Sequence, residues 1–241
     1  VLFRSRRVSL MSLISMIIYF VILMVIPMWA QHKVKSNYEK YSQVRSTSGK
    51  TGREVAEEIL HSNGIYDVDV VKGEGFLTDH YDPNKKVVCL SPANYDRPSV
   101  AGTAIAAHEV GHAIQHQQGY APLRFRTALV PLANIGSSLS YIIIMVGIVL
   151  TALGSVFGST VLWVGAGLMS LAVLFSIVTL PVEFNASSRA MKQITALNIV
   201  NEKEYKHAKK VLSAAAMTYV ASTAVALAEL ARIILIARSS D

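Results

Sequence analysis

The chain has 241 residues, of which 52% are hydrophobic and only 16% are charged, whereas an ordinary soluble domain carries roughly 25% charged residues. The formal net charge is +7, and the excess lies near the ends of apolar segments, which is typical of membrane-flanking charge and not of a nucleic-acid surface. The single cysteine, Cys89, excludes an internal disulfide and a thiolate zinc cage.

The first uncharged segment, residues 8–31, is long enough to cross a bilayer, because a spanning helix needs about 20 apolar residues. We therefore predict a transmembrane helix over residues 8–30. The alternative is a secretory signal peptide, since arginines precede the segment, but its apolar run is long and lacks a small-x-small cleavage pattern. The chain begins with Val1 instead of Met, and we expect residues 1–5 to carry no information about the natural N-terminus.

Residues 32–126 differ from the first segment because they carry 12 Lys and Arg and 11 Asp and Glu, mixed in sign. We predict that they form a soluble domain. Thr51 and Glu54 have the spacing of a capping box, which predicts a short helix over about residues 52–62.

Two short runs in the same domain, residues 66–71 and 85–91, have the length and apolar pattern of strands. Ser99 is expected to cap a longer helix over residues 99–118, which ends at Gly119. The soluble part is therefore predicted to be a small α+β domain with one long helix.

A second uncharged segment extends over residues 127–182 and is long enough for two spans. We predict a transmembrane hairpin over residues 131–182, with its turn in GSVFGST, residues 154–160. Residues 183–210 are charged again and are predicted to contain a helix, since Pro181 suits the first turn of a new helix.

The last apolar stretch, residues 211–237, contains Glu229 and Arg232 three residues apart. It is either a fourth span with a paired ion couple or an amphipathic helix at the membrane surface, and we favour the span. The predicted fold is a mainly helical α+β membrane protein with about four transmembrane helices and a small zincin-like domain.

The segment AIAAHEVGHAIQH, residues 104–116, gives the strongest indication of chemistry. His108 and His112 are four residues apart, so a helix places both imidazoles on one face, where they can bind the same metal ion. Glu109 is rotated by about 100° from His108, which places its carboxylate beside the metal as a general base. The alternative is a helix with surface histidines, but the flanking residues are apolar nearly all round, and buried polar groups need a compensating partner.

The third metal ligand does not follow the two histidines directly. His116 lies about 12 Å along the helix axis from His108, so we expect it beside the site or at the surface. The remaining candidates are His80 in LTDHYDP and Glu183 in LPVEFNASSRA. Because two spans return the chain to the side that it left, Glu183 is predicted to emerge on the face that carries His108 and His112.

HEVGH, followed by a two-span insertion and then by EFNASSRA, resembles the gluzincin arrangement of integral-membrane metallopeptidases such as the CAAX prenyl protease and HtpX group. The chain is more similar to the bacterial YugP-type neutral zinc metallopeptidase family, on the segments AQHKVKSNYEKYSQVRSTSGKTGREVA, LTDHYDP, AAHEVGHAIQH and TLPVEFNASSRA, which together cover roughly residues 30–195. The resemblance implies one zinc ion per chain, with His108, His112 and Glu183 as ligands and Glu109 as catalytic base.

The sequence departs from the CAAX protease and HtpX pattern at Ser187, which stands where that pattern has an Asp that orients a ligand histidine. Groups around a metal ligand set its orientation and basicity, so another group has to fill this role. The candidates are Asn185, Asp79 and a backbone carbonyl.

The predicted function is a membrane-bound zinc-dependent endopeptidase, which hydrolyses peptide bonds with a zinc-activated water and a glutamate general base. Its partners would be peptide or membrane-protein substrates and the lipid bilayer, without nucleic acid. Residues 76–82 could form an edge strand that pairs with an extended substrate. Three side chains are candidates for stabilising the developing oxyanion: His80, Tyr81 and Arg189.

Basic residues are concentrated on the catalytic side of the predicted spans, which favours a cytoplasmic active site in a bacterial plasma membrane. Three other classes stay open at this point. They are a non-catalytic zinc-stabilised membrane scaffold, an intramembrane protease with its motif inside the bilayer, and a transporter that uses Glu229 and Arg232.

Overall fold

The computed structural model describes residues 2–240, with side chains from residue 14 onward. The expectation that residues 1–5 carry no information about the natural N-terminus falls on residues whose side chains lie outside this range. The elements in chain order are α1 (Leu2–Ser42), α2 (Gly52–Ser62), β1 (Asp69–Lys72), β2 (His80–Asp82), β3 (Val87–Leu90), α3 (Pro92–Asp96), α4 (Val100–Gln117), α5 (Ala121–Ala152), α6 (Gly158–Ala196) and α7 (Glu202–Ser239).

Four of the described helices are long and apolar enough to cross a membrane: α1 from Ile14 onward, α5, α6 and α7. This confirms the predicted α+β membrane protein with about four transmembrane helices. The last apolar stretch lies within α7, in agreement with a fourth span. The exposed side chains of these helices are mostly large and apolar, as expected for a surface that faces lipid.

A small three-stranded sheet and the two helices α2 and α4 lie in the segment that the sequence predicts to be a soluble domain, and we keep this name for it. The strand order is β1-β3-β2, with β1 parallel and β2 antiparallel to β3. The middle strand places Val88 and Leu90 in the core with Val55 and Ile59 of α2 and Val110 of α4. Because β2 is at the edge of the sheet, one of its sides is free to pair with another strand.

The predicted helix starts of the soluble domain are present. The Thr51 hydroxyl accepts a hydrogen bond from the Glu54 amide, and the Glu54 carboxylate accepts one from the Thr51 amide, which completes the capping box of α2. At the start of α4, the Ser99 hydroxyl accepts a hydrogen bond from the Gly102 amide at 3.0 Å. These caps satisfy amides that have no partner within the helix.

The hairpin of α5 and α6 turns at the predicted position, where Gly154 adopts a φ of +74°. The prediction of a new helix after Pro181 is wrong, because α6 is continuous from Gly158 to Ala196 and carries both Pro181 and Glu183. A proline removes one backbone hydrogen bond, whereas a helix break in apolar surroundings would leave several backbone groups unpaired. The continuous helix therefore carries Glu183 from the hairpin into the soluble domain.

Helices α1 and α7 pack against each other in antiparallel directions. Near the middle of α1, the Tyr19 hydroxyl donates to the Glu229 carboxylate at 3.0 Å, and Arg232 donates to the same carboxylate at 2.7 Å. Near the end of α1, the Tyr41 ring stacks on His207 at 4.6 Å between centroids. The predicted ion couple of Glu229 and Arg232 therefore also ties α7 to α1.

Candidate metal centre

The two histidines of the motif project from the middle of α4 on one face. The His108 and His112 rings are 4.9 Å apart between centroids and meet edge to face. Both are largely buried within the soluble domain. This agrees with the geometry expected for residues four positions apart on a helix.

Glu183 reaches the two histidines from α6. Its Oε2 lies 3.2 Å from His108 Nε2 and 3.6 Å from His112 Nε2, and the carboxylate is buried, with 3% of the residue exposed. One candidate ligand atom from each of the three residues lies within 4.8 Å of the others. The other oxygen, Oε1, accepts a hydrogen bond from Arg126 Nη1 at 3.0 Å, so that Oε2 is directed towards the histidines.

The close approach of α4 and α6 depends on a glycine between the histidines. A Cβ atom at Gly111 would lie 2.6 Å from the carbonyl oxygen of Ala186, well inside van der Waals contact. The partner is backbone, which cannot rotate away as a side chain can. Gly111 and the small residue Ala186 therefore allow the two helices to come close enough for Glu183 to reach the histidines.

Replacing Gly111 with Ala is expected to destabilise the protein by about 1–3 kcal/mol, which is the usual cost of overpacking, and to lower its zinc content. Thermal unfolding and metal analysis of purified protein would measure both effects. Gly167→Ala on α6 is the matched control, because a Cβ atom there meets nothing within 4 Å. Unchanged unfolding and zinc content in the Gly111 variant would contradict the proposed role of this contact.

A glutamine orients the second histidine. The Gln115 amide nitrogen donates to the Val182 carbonyl at 2.8 Å and to Asn185 Oδ1 at 2.9 Å. With its nitrogen occupied by two acceptors, Gln115 presents its oxygen to His112 Nδ1 at 3.0 Å. His112 Nδ1 therefore carries the proton, and its Nε2 lone pair is free to bind a metal.

Ser187 lies beside the first histidine, with its hydroxyl 3.1 Å from His108 Nδ1. The residue that departs from the CAAX protease and HtpX pattern thus occupies the orienting position itself. Asn185 contacts Gln115 and so acts on His112 only through that residue. Asp79 accepts hydrogen bonds from Ser91 and Asn94 instead of from a histidine.

Glu109 lies beside the three candidate ligands and is 9% exposed. Burial raises the pKa of its carboxyl above the usual range, although the neighbouring His108 and His112 oppose this. A carboxyl with a raised pKa can accept a proton and return it near neutral pH. The role of Glu109 as general base stays a prediction, which its position beside the three candidate ligands supports.

Two cavities meet at Glu109. The polar cleft has a volume of about 560 Å³ and is lined by His80, Tyr81, His116, Arg124 and Arg126. The apolar cleft, of about 500 Å³, is lined by Val34, Phe76, Leu77, Ile105 and Leu212. Asp79, His108, Glu109 and Tyr219 line both, so the two clefts adjoin at the metal centre.

The remaining predicted residues divide into those that line the polar cleft and those that do not. The Tyr81 hydroxyl lies 2.8 Å from His116 Nδ1, and burial raises the pKa of Tyr81 to about 12, so the phenol stays protonated at neutral pH. His80 lies beside them in the cleft. Arg189 donates to Asn185 at 2.7 Å and to Gln118 at 2.6 Å, and it is not among the residues that line either cleft.

Three further residues at the site were not identified from the sequence: Gln115, Arg126 and Tyr219. Gln115 follows His112 by three residues, and side chains at this spacing are neighbours on a helix. The role of Gln115 could therefore have been predicted from spacing. Arg126 and Tyr219 lie on other helices, α5 and α7, and no local pattern marks them.

The fold and the site together define a class: a membrane-spanning α+β protein with a candidate metal centre of two histidines and a glutamate. Over residues 16–238 the chain matches the family described as "Putative neutral zinc metallopeptidase", and it belongs to that family. It is 47% identical over 208 residues to "Putative membrane protease YugP" of Bacillus subtilis (strain 168), which covers 86% of this chain and 90% of that protein. No solved structure was found to match this chain. The resemblance seen in the sequence is thereby confirmed at the level of the family.

Proposed function

We propose that the protein is a membrane-bound zinc endopeptidase with His108, His112 and Glu183 as ligands and Glu109 as general base. The observation that carries this proposal is the convergence of three donor atoms next to Glu109, at the junction of two clefts. The donor set fits zinc, because two imidazole nitrogens and one carboxylate oxygen are a common catalytic ligand set that leaves a position for water. The contact of His112 Nδ1 with the Gln115 side-chain oxygen favours a free Nε2 lone pair on His112, which supports the same assignment.

The side chains at the site have separate roles in peptide hydrolysis. When bound, zinc would supply Lewis-acid polarisation of the peptide carbonyl and of a water molecule. Glu109 takes a proton from the attacking water and delivers it to the leaving amine nitrogen. Arg126 neutralises the outer oxygen of Glu183 and holds the carboxylate in position.

Stabilisation of the developing oxyanion is assigned to side chains that line the clefts. His80 and Tyr219 are the candidates that this placement supports, since His80 lines the polar cleft and Tyr219 lines both clefts. Tyr81 is directed to His116, and Arg189 to Asn185, so neither is our first choice. A preorganised donor of this kind is worth about 10²–10³-fold in rate.

The substrate is proposed to bind as an added strand along the free edge of β2, whose residues His80 and Tyr81 line the polar cleft. The apolar cleft lies between α1 and α7, next to the point where the uncharged segment of α1 ends. This position supports the proposal that the substrates are peptides or membrane proteins that are cut near the bilayer surface. The excess of basic residues on the same side supports a cytoplasmic site in a plasma membrane.

Removal of the metal tests this function directly. Treating the purified full-length protein with a zinc chelator is expected to abolish cleavage of casein or of a quenched fluorescent peptide library, and added zinc is expected to restore it. Zinc content would be measured on the same samples. Full cleavage by metal-free protein would exclude the proposed function.

A further inference from the structure

A third cavity, of a different kind, also lies between α1 and α7, away from the metal centre. It has a volume of about 730 Å³, and we call it the lysine cleft. It shares none of its lining residues with the polar or the apolar cleft. Its basic lining residues are Lys33 and Lys40 from α1 and Lys206, Lys209 and Lys210 from α7.

The lysines lie on one face of α1 and one face of α7, and both faces line the lysine cleft. On α7, Lys206 and Lys210 are four residues apart, with Lys209 between them, and Ser213 follows one turn later. On α1, Lys33 and Lys40 are seven residues apart, which is two helical turns. The antiparallel packing of α1 and α7 brings these faces together.

The positive charge of the lysine cleft is not balanced by protein carboxylates. No acidic residue lines it, and among the side chains described, residues 14–240, none of its five lysines takes part in a salt bridge of 4.0 Å or less. Lys33 and Lys40 instead lie over the rings of Trp29 and Tyr41, at 4.8 and 5.6 Å from the ring centroids. Five ammonium groups around one cavity repel one another, and a bound anion would relieve this repulsion.

The location of the lysine cleft indicates which kind of anion it would bind. On α1 the uncharged segment ends at Gln31, two residues before Lys33, and on α7 the uncharged stretch begins at Val211, directly after Lys210. Trp29 is an aromatic residue at the same boundary, where aromatic side chains are enriched at membrane surfaces. The cleft therefore opens at the depth of the lipid headgroups.

We propose that the lysine cleft binds the phosphate of an anionic phospholipid headgroup. Lysine clusters immediately next to a transmembrane helix attract anionic lipids, and lysine ammonium groups suit phosphate oxygens as point charges. Asn37 and Ser213 line the same cavity and offer further polar contacts to a headgroup. A soluble phosphate or an acidic peptide would not need a site at the membrane boundary.

The test uses purified full-length protein in neutral detergent, titrated with a short-chain phosphatidylglycerol and, separately, with the matching phosphatidylcholine. Binding is followed by native mass spectrometry. The unchanged protein is expected to bind the anionic lipid about tenfold or more tightly than the zwitterionic one. Equal binding of the two lipids would overturn the proposal.

Substitutions locate the site. The triple variant Lys206→Gln, Lys209→Gln, Lys210→Gln is expected to weaken phosphatidylglycerol binding about tenfold or more. The matched control Lys72→Gln, Lys85→Gln, Lys86→Gln removes the same charge from the sheet region and is expected to leave binding unchanged. If the α7 variant does not fold, Lys33→Gln with Lys40→Gln tests the same cleft from α1. Equal effects of the cleft and control variants would overturn the proposal.

Competition distinguishes the source of the anion. Inorganic phosphate and a poly-glutamate peptide are each added to the complex with phosphatidylglycerol, and neither is expected to displace the lipid at equal concentration. Displacement by inorganic phosphate would reassign the cleft to a soluble anion, and displacement by the peptide would reassign it to an acidic protein segment. Either result would overturn the lipid assignment.

Discussion

Glu109→Gln is expected to lower the rate of peptide cleavage by about 10²–10⁴-fold, the usual contribution of a positioned general base, while zinc content stays unchanged. The glutamine has the same shape but cannot take a proton from water. The carboxyl is buried and is not part of the three-residue ligand cluster, so its loss removes the base without removing a ligand. Steady-state cleavage kinetics and metal analysis on the same preparation measure the two effects.

The control for this variant is Glu57→Gln, which removes an exposed carboxylate paired with Arg53 on α2. It is expected to leave both cleavage and zinc content unchanged. Undiminished cleavage by the Glu109 variant would contradict the proposed mechanism. If the wild-type protein bound zinc but did not cleave peptides, this would favour the alternative of a zinc-stabilised scaffold.

Glu183→Gln is expected to reduce zinc affinity by more than about 100-fold, because even groups that only orient a metal ligand contribute about 10–100-fold. The neutral amide is a much weaker ligand than the carboxylate. It also leaves Arg126 without its charged partner, which lies 3.0 Å away. Cleavage is expected to fall together with zinc occupancy and to recover partly at high zinc concentration. Competition with a zinc-binding dye measures the affinity.

Glu229→Gln is the comparison for this second variant, because it also neutralises a partly buried helical carboxylate but at the contact of α7 with Tyr19 and Arg232. Its zinc content per folded molecule is expected to match that of the unchanged protein. A Glu183 variant that retained full zinc affinity would show that the third ligand lies elsewhere, and His80 would then be tested next.

The elements that the sequence predicted well are those whose signals are local. The capping box of Thr51 and Glu54 and the Ser99 cap depend on residues within one turn, so the helix starts follow directly from residue type. Membrane spans are predictable for a similar reason, since each needs only its own run of apolar residues. The spacing of His108 and His112 converts to a common face by helix geometry alone.

Pro181 shows where local reasoning failed. Proline is common at a helix start, which favoured a new helix at Glu183, but its effect depends on the surroundings. Inside a long helix in contact with α4, α5 and α7, the loss of one hydrogen bond is tolerated. The continuous helix makes the position of Glu183 more rigid than a separate segment would.

The amino-acid sequence by itself determined the resemblance to the family, the apolar runs long enough for about four spans and the histidine pair, because motifs, spacing and the length of apolar runs are local properties of the chain. Only the tertiary structure decided which groups surround the ligands. The contact of Gly111 with Ala186, the Arg126 hydrogen bond to Glu183 and the place of Tyr219 beside the site each depend on residues of different helices. Such contacts depend on how whole helices pack, and no local pattern encodes them.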